Sequence, residues 1–228
     1  MEPIPPGLMV CSPCPHTADG FSTFFKPAGP PVSGNFFRTV EHALPFNLAP
    51  SEASDALPFP RPVHRLDRRT RGLLLVARSA SAQVSLGRQF QEREIRKRYR
   101  AILVGRLEDS GTVDTALEVR AARTRWAAER HDRSLHCQWL TTVDLWPQTG
   151  RTHQLRRHMA QLGHPVLGDD LYTQGRVLQR SGLFLAAVEL HLTHPRSGEP
   201  LHFVLPEPDK FVTFRKREER RWGKSQGA

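Results

Sequence analysis

Cysteine is scarce: three residues in 228, too few for the disulfide scaffold that stands in for a core in small secreted domains. Two of them, Cys11 and Cys14, form a CxxC with His16 nearby. A tetrahedral zinc site takes four ligands, however, and Cys137 lies far along the chain in an apparent strand, so the pair reads as incidental. Long apolar runs are missing too. Nothing approaches the roughly 20 residues that cross a bilayer as a helix, and the first residues lack the charged-then-apolar order of a signal peptide. The expectation is a soluble, cytoplasmic monomer with no membrane partner. Neither a P-loop nor a GxGxxG after a strand occurs, so no nucleotide cofactor is expected. Acids are in deficit as well: 23 against 33 lysines and arginines, a formal charge of +10. That imbalance makes nucleic acid the first candidate partner and an anionic membrane surface the second.

What is present is organised around Arg61 to Ala77, RPVHRLDRRTRGLLLVA. One carboxylate, Asp67, stands between Arg65 and the cations Arg68, Arg69 and Arg71. Neighbouring positive charge favours the ionised form of an acid, which suits a nucleophile or a base. Gly72 opens an apolar run of strand length, Leu73 to Ala77. Ser79 or Ser81 then caps a helix that carries Ala82, Leu86 and Phe90 on one face.

Residues 1–20, proline-rich and without period, read as an irregular arm. Phe21 to Phe25 make a short strand stopped by Lys26-Pro27-Ala28-Gly29, and the prolines of residues 45–62 suggest a loop leading into the central motif. Alternation from Lys97 to Gly105 marks a strand with Tyr99, Ala101 and Leu103 on one side and Arg98, Arg100 and Ile102 on the other. Between Leu117 and Arg133 arginines dominate around Trp126, as an RNA-facing surface or a solvated insertion. Leu135 to Leu145 alternates strictly, placing Leu135, Cys137, Trp139, Thr141, Val143 and Leu145 on one face.

After Gly150, Thr152 is placed to cap a helix to about Leu162. Leu155, Met159 and Leu162 would face the core, with His153, Arg156 and Arg157 on or near another face. Phe184 to Leu192 and Leu201 to Leu205 form a strand pair turning around His194 to Gly198, and residues 211–228 form a charged, helical tail. Strands without regular strand–helix alternation favour α+β over a doubly wound fold.

Three blocks then carry a resemblance. His64-Arg65-Leu66-Asp67 with Thr70, Gly72 and Leu73-Leu74-Leu75 is similar to the HRLDxxTSGLLLxA signature of the RluA-type RNA pseudouridine synthases. Lys97-Arg98-Tyr99-Arg100-Ala101 and Thr149-Gly150-Arg151-Thr152-His153-Gln154-Leu155-Arg156 follow in order, and the resemblance spans roughly Phe21 to Pro208. Arg71 departs from it, standing where the family usually has Ser. The resemblance implies the pseudouridine synthase fold, with a largely antiparallel mixed central sheet, flanking helices and a catalytic cleft within residues 21–210. It leaves no room before Phe21 for the S4 domain many relatives carry. It also implies that Tyr99 lies under the target base and that Arg156 pairs with Asp67.

Isomerising uridine to pseudouridine breaks a C–N glycosidic bond and forms a C–C bond to the same ribose. That balance requires no cofactor, redox partner or metal. Asp67 acts as nucleophile at C1′ or as base on the C2′ proton, and Arg65 contacts the RNA backbone or holds the flipped nucleotide. The expected partner is tRNA or large-subunit rRNA, with a lean towards tRNA. A non-catalytic RNA-binding or ribosome-assembly factor on the same fold is the alternative. A hydrolase built on His153, His158, His164, Asp169 and Asp170 as metal ligands is more distant, because their spacing matches no ligand pattern. His153 and Asp169 read instead as polar groups tying loops.

Overall fold

A computed structural model describes residues 20–35, 38–173 and 182–226. Cys11, Cys14, His16 and all but the last residue of the expected arm lie outside them. The chain divides into two compact units, residues 1–96 with 189–205 and residues 97–188 with 206–228.

In the first unit, β1 (Phe21–Lys26) and β2 (Ala56–Pro62) both pair antiparallel with β3 (Arg71–Ser79). β3 is buried on both faces from Gly72 to Ser79, as its unbroken apolar run requires. Helix α1 (Val40–Asn47) precedes β2, and α2 (Ala80–Gln91) follows β3 directly. Ser79 is the α2 cap, its hydroxyl accepting from the Ala82 amide at 3.2 Å. Ala82 and Leu86 then pack with Phe21, Leu73, Leu75 and Leu190. Strand β8 (Leu185–Thr193) enters this unit at Glu189 and pairs antiparallel with β9 (Pro200–Val204). Their turn is closed by His194, whose Nδ1 accepts the Arg196 and Ser197 amides at 3.1 and 3.0 Å.

The second unit is built on β4 (Arg96–Val104), β5 (Ser110–Val113), β6 (Thr124–Ser134) and β7 (Gln138–Pro147). β7 lies between β4 and β6, antiparallel to both, and β5 pairs with β6. Tyr99, Ala101 and Leu103 face one cluster with Val143, Leu145, Leu155 and Met159, the last two from α3 (Gln154–Gln161). Ile102 faces another with Phe184 and Leu140, closed by Phe211 and Phe214 of α4 (Asp209–Gln226). The C-terminal helix is thus part of this core.

Several expectations change. The proline-rich residues 45–62 contain the end of α1, with Pro45 inside it, and the strand β2. Three prolines fit β2 because a missing N–H removes no ladder bond where the strand edge is open. Leu135 and Cys137 lie in the β6–β7 turn rather than in β7, whose residues Leu140 to Leu145 are all buried; two-sided burial replaces the single face read from alternation. Thr152 does not cap α3: His153 occupies that position, left-handed at φ 52° and without a side-chain capping bond. Leu162, expected in the core, is 36% exposed, whereas Arg156 is 2% exposed.

Candidate active site

The carboxylate motif of the first unit sits in a turn between β2 and β3. The Thr70 amide donates to the Asp67 carbonyl at 3.0 Å, and Leu66 beside it is buried, anchoring the turn while leaving Asp67 partly exposed. His64 fixes the entrance: its Nε2 accepts the Leu75 amide at 3.0 Å and its ring stacks on Phe90 at 4.7 Å. Gly72, at φ 120°, lets the chain pass from the turn into β3, a backbone state that a Cβ disfavours.

Beneath the turn lies Lys26, fully buried at the end of β1 opposite Gly72. Its ammonium donates to the carbonyls of Thr70 (2.8 Å), Arg68 (3.1 Å) and Pro27 (3.0 Å). Burial pulls its pKa from 10.5 down to about 8, and the negative charge of Asp67 opposes that shift. The turn is also clasped from Gly29, whose amide donates to the Arg68 carbonyl while Arg68 Nε returns a bond to the Gly29 carbonyl, both 2.9 Å. The sequence treats Lys26-Pro27-Ala28-Gly29 as a strand stop. In the fold it is the cradle of the Asp67 turn.

Of the arginines that flank Asp67, Arg65 and Arg68 are exposed, Arg68 donating to Gly29, while Arg69 and Arg71 are partly buried. Lys26, 41 positions earlier by number, is a buried cation whose charge interacts with that of Asp67.

In the second unit Tyr99 stands in β4 opposite Leu145, partly buried against the core cluster. Its neighbours Arg98 and Arg100 point to the other face, where three bonds of 2.8 Å hold the buried Asp144. This opposed pairing stiffens the segment that presents Tyr99. Arg156 of α3 forks Asp169, Nε to Oδ2 at 2.7 Å and a terminal nitrogen to Oδ1 at 2.8 Å. Burial alone raises the Asp169 pKa. The Arg156 bonds and charge, with the Leu171 and Tyr172 amides, outweigh it and hold the carboxyl below the usual range. The Arg156 guanidinium also lies 5.1 Å from the Tyr172 ring centre, and Tyr172 hydroxyl meets His153 Nδ1 at 2.9 Å.

The Thr149–Arg156 block is tied down by Gln154. Its Oε1 accepts from Thr149 (2.6 Å) and the Arg151 amide (3.0 Å), and its amide nitrogen donates to the Arg123 carbonyl (2.9 Å). His158 is held by Thr124 and the Thr115 carbonyl at 2.9 and 3.1 Å, and burial lowers its pKa. Of the five residues weighed as metal ligands, His153, His158 and Asp169 meet Tyr172, Thr124 and Arg156, and His164 Nδ1 lies 3.1 Å from the Val104 carbonyl. Among the described residues the three-ligand grouping is a different one, Glu189, His191 and His202. Sequence reading missed Lys26 as the support of Asp67 and Asp169 as a partner of Arg156. Neither pairing is marked by local periodicity.

The chain is similar to known proteins. The dual-specificity RNA pseudouridine synthase RluA of Pasteurella multocida is 38% identical over 206 residues, covering 84% of this chain and 91% of its own. RluA of Haemophilus influenzae is 39% identical over 177 residues, 69% and 78% of the two chains. The ribosomal large subunit pseudouridine synthase D of Nitrosomonas europaea is 36% identical over 209 residues, 83% of this chain but 60% of its own length, so this chain spans little more than half of that relative. The solved structure of human RNA pseudouridylate synthase domain containing 1 superposes with a TM-score of 0.72 at 27% identity, covering 91% of this chain and 87% of that one. The family model for RNA pseudouridylate synthase matches residues 20–161, a stretch that holds the Lys26 cradle, the Asp67 turn, Tyr99 and Arg156 alike, and the chain belongs to that family.

Proposed function

We propose that the protein isomerises uridine to pseudouridine in RNA, with Asp67 as the catalytic carboxylate. The observation that carries this reading is the Asp67 turn, a partly exposed acid on a loop whose backbone is bonded to a buried lysine at the Arg68 and Thr70 carbonyls. A group that must meet one ribose carbon gains from such a rigid mount, because reaction geometry is set before substrate arrives. Asp67 attacks C1′ or removes the C2′ proton; either route detaches uracil, which turns and rejoins through C5. Every heavy atom stays in the nucleotide, and the proton lost from C5 is balanced by one gained at N1. Tyr99 stacks on the base, and its hydroxyl assists loss of the C5 proton. Arg156 supplies buried positive charge to the site, fixed in direction by Asp169. Arg65, exposed, contacts the RNA backbone.

The target base has to leave its stack, which favours uridines in loops. Substrates are tRNA, large-subunit rRNA or both. Relatives named for the ribosomal large subunit support rRNA, and relatives named dual-specificity support more than one kind of target; the enzyme works as a monomer in the cytoplasm. The test is mass-spectrometric mapping of pseudouridine in RNA from cells lacking the gene, complemented by wild type or by Asp67→Asn. One or more uridines should lose modification and regain it with wild type alone. Rescue by the Asn variant sinks the carboxylate assignment, and an unchanged map favours an RNA-binding or assembly factor.

A further inference from the structure

We infer that Glu189, His191 and His202 form a transition-metal site on the β8–β9 hairpin, a Zn(II)-class ion held by two imidazoles and a carboxylate. Glu189 and His191 are two apart on β8 and so share a face, and His202 of β9 is the direct cross-strand partner of His191. The three side chains converge: Nε2 of His191 lies 2.6 Å and Nε2 of His202 2.9 Å from the same Glu189 oxygen, Oε1. The rings stack with centres 3.9 Å apart at 12°. All ligand atoms lie within 4.8 Å of one another.

Two histidines directing the same nitrogen at one carboxylate oxygen place three donors around one point. A four-coordinate zinc with bonds of about 2.0–2.1 Å needs donors about 3.3 Å apart, so the His191 and His202 nitrogens have to draw back from Glu189 Oε1 by about 0.7 and 0.4 Å. The imidazoles can give way, since their side chains are 45% and 50% exposed, while Glu189 is firmer at 15%. Two nitrogens and one oxygen select Zn(II), Ni(II) or Cu(II) over Mg(II) or Ca(II), which prefer all-oxygen shells. Water completes the coordination.

The isomerisation has no use for this ion, because its bonds balance within the nucleotide. The ion would staple β8 to β9 beside the turn at His194. No ligand belongs to the proposed catalytic set, so the site stands or falls independently of that reading.

The test uses the full chain without an affinity tag, stripped by chelator, then titrated with Zn(II) by calorimetry and with Co(II) by visible absorption. One equivalent should bind, giving the d–d bands of a nitrogen-ligated cobalt and a raised melting temperature. His191→Gln and His202→Gln, which keep polarity and size, should each weaken binding about 100-fold or more. A variant with Cys11, Cys14 and Cys137 all changed to Ser should bind as wild type. The proposal is overturned if the histidine variants bind zinc as tightly as wild type, if the cysteine variant alone loses it, or if the wild type shows neither heat nor spectrum.

Discussion

Lys26 carries a charge that the protein has buried to hold three carbonyls, and its titration is the most direct readout of that choice. Its folded pKa of about 8 lies below the ordinary 10.5. Between those values the unfolded chain keeps a proton that the folded one has released, so this group makes stability rise with pH across that window. The full shift corresponds to about 3 kcal/mol. Urea unfolding at either end of the window should show wild type gaining on Lys26→Met by up to that amount as pH rises; parallel pH profiles would contradict the assignment. Asp169 gives a dependence of the same sign in the acid range. Its pKa is lowered, so the stability from its pair with Arg156 is present above the ordinary carboxylate range and is lost as pH falls through the lowered value. Asp169→Asn leaves the Arg156 guanidinium buried without its counter-ion, at a cost of about 3–5 kcal/mol. Thermal unfolding at neutral pH should register the loss, and the variant should show less acid sensitivity than wild type.

Among the elements, the segment joining α3 to β8 depends on a backbone that only glycine accepts. Gly168 has φ +76°, and a Cβ there would sit 2.1 Å from the Gly182 carbonyl oxygen. Gly168→Ala should therefore lose stability by about 3 kcal/mol or more, from strain and overlap together, and should lower pseudouridine formation by displacing Asp169 from Arg156. Circular dichroism melts and turnover measured on the same preparation check both. At α2 the cap is ordinary: Ser79→Ala should cost about 1 kcal/mol and leave turnover unchanged. These elements were legible to different degrees. The cap at Ser79, the alternation around Tyr99 and the apolar run of β3 are local patterns, and each becomes the element they indicate. The α3 start was not legible, because Gln154 is spent on Thr149, Arg151 and Arg123, contacts that no helix rule contains.

For the whole molecule the formal charge of +10 implies RNA affinity that falls steeply with salt, since each neutralised phosphate releases counterions. Filter binding from low to physiological salt should give a linear log–log decline, and Asp67→Asn should bind on the same line as wild type. A flat response would remove phosphate contact from the account. The sequence by itself determined the α+β class, most strand positions and the family, because these rest on periodicity and on motifs of contiguous residues. Only the tertiary structure decided which distant groups serve them. Lys26 meets Thr70 across 44 positions and Arg156 meets Asp169 across 13, and His202 meets His191 through the β8–β9 register. Such pairings depend on strand register and on how turns direct side chains, and hydrophobic pattern constrains a face of each element but not the partner it will find.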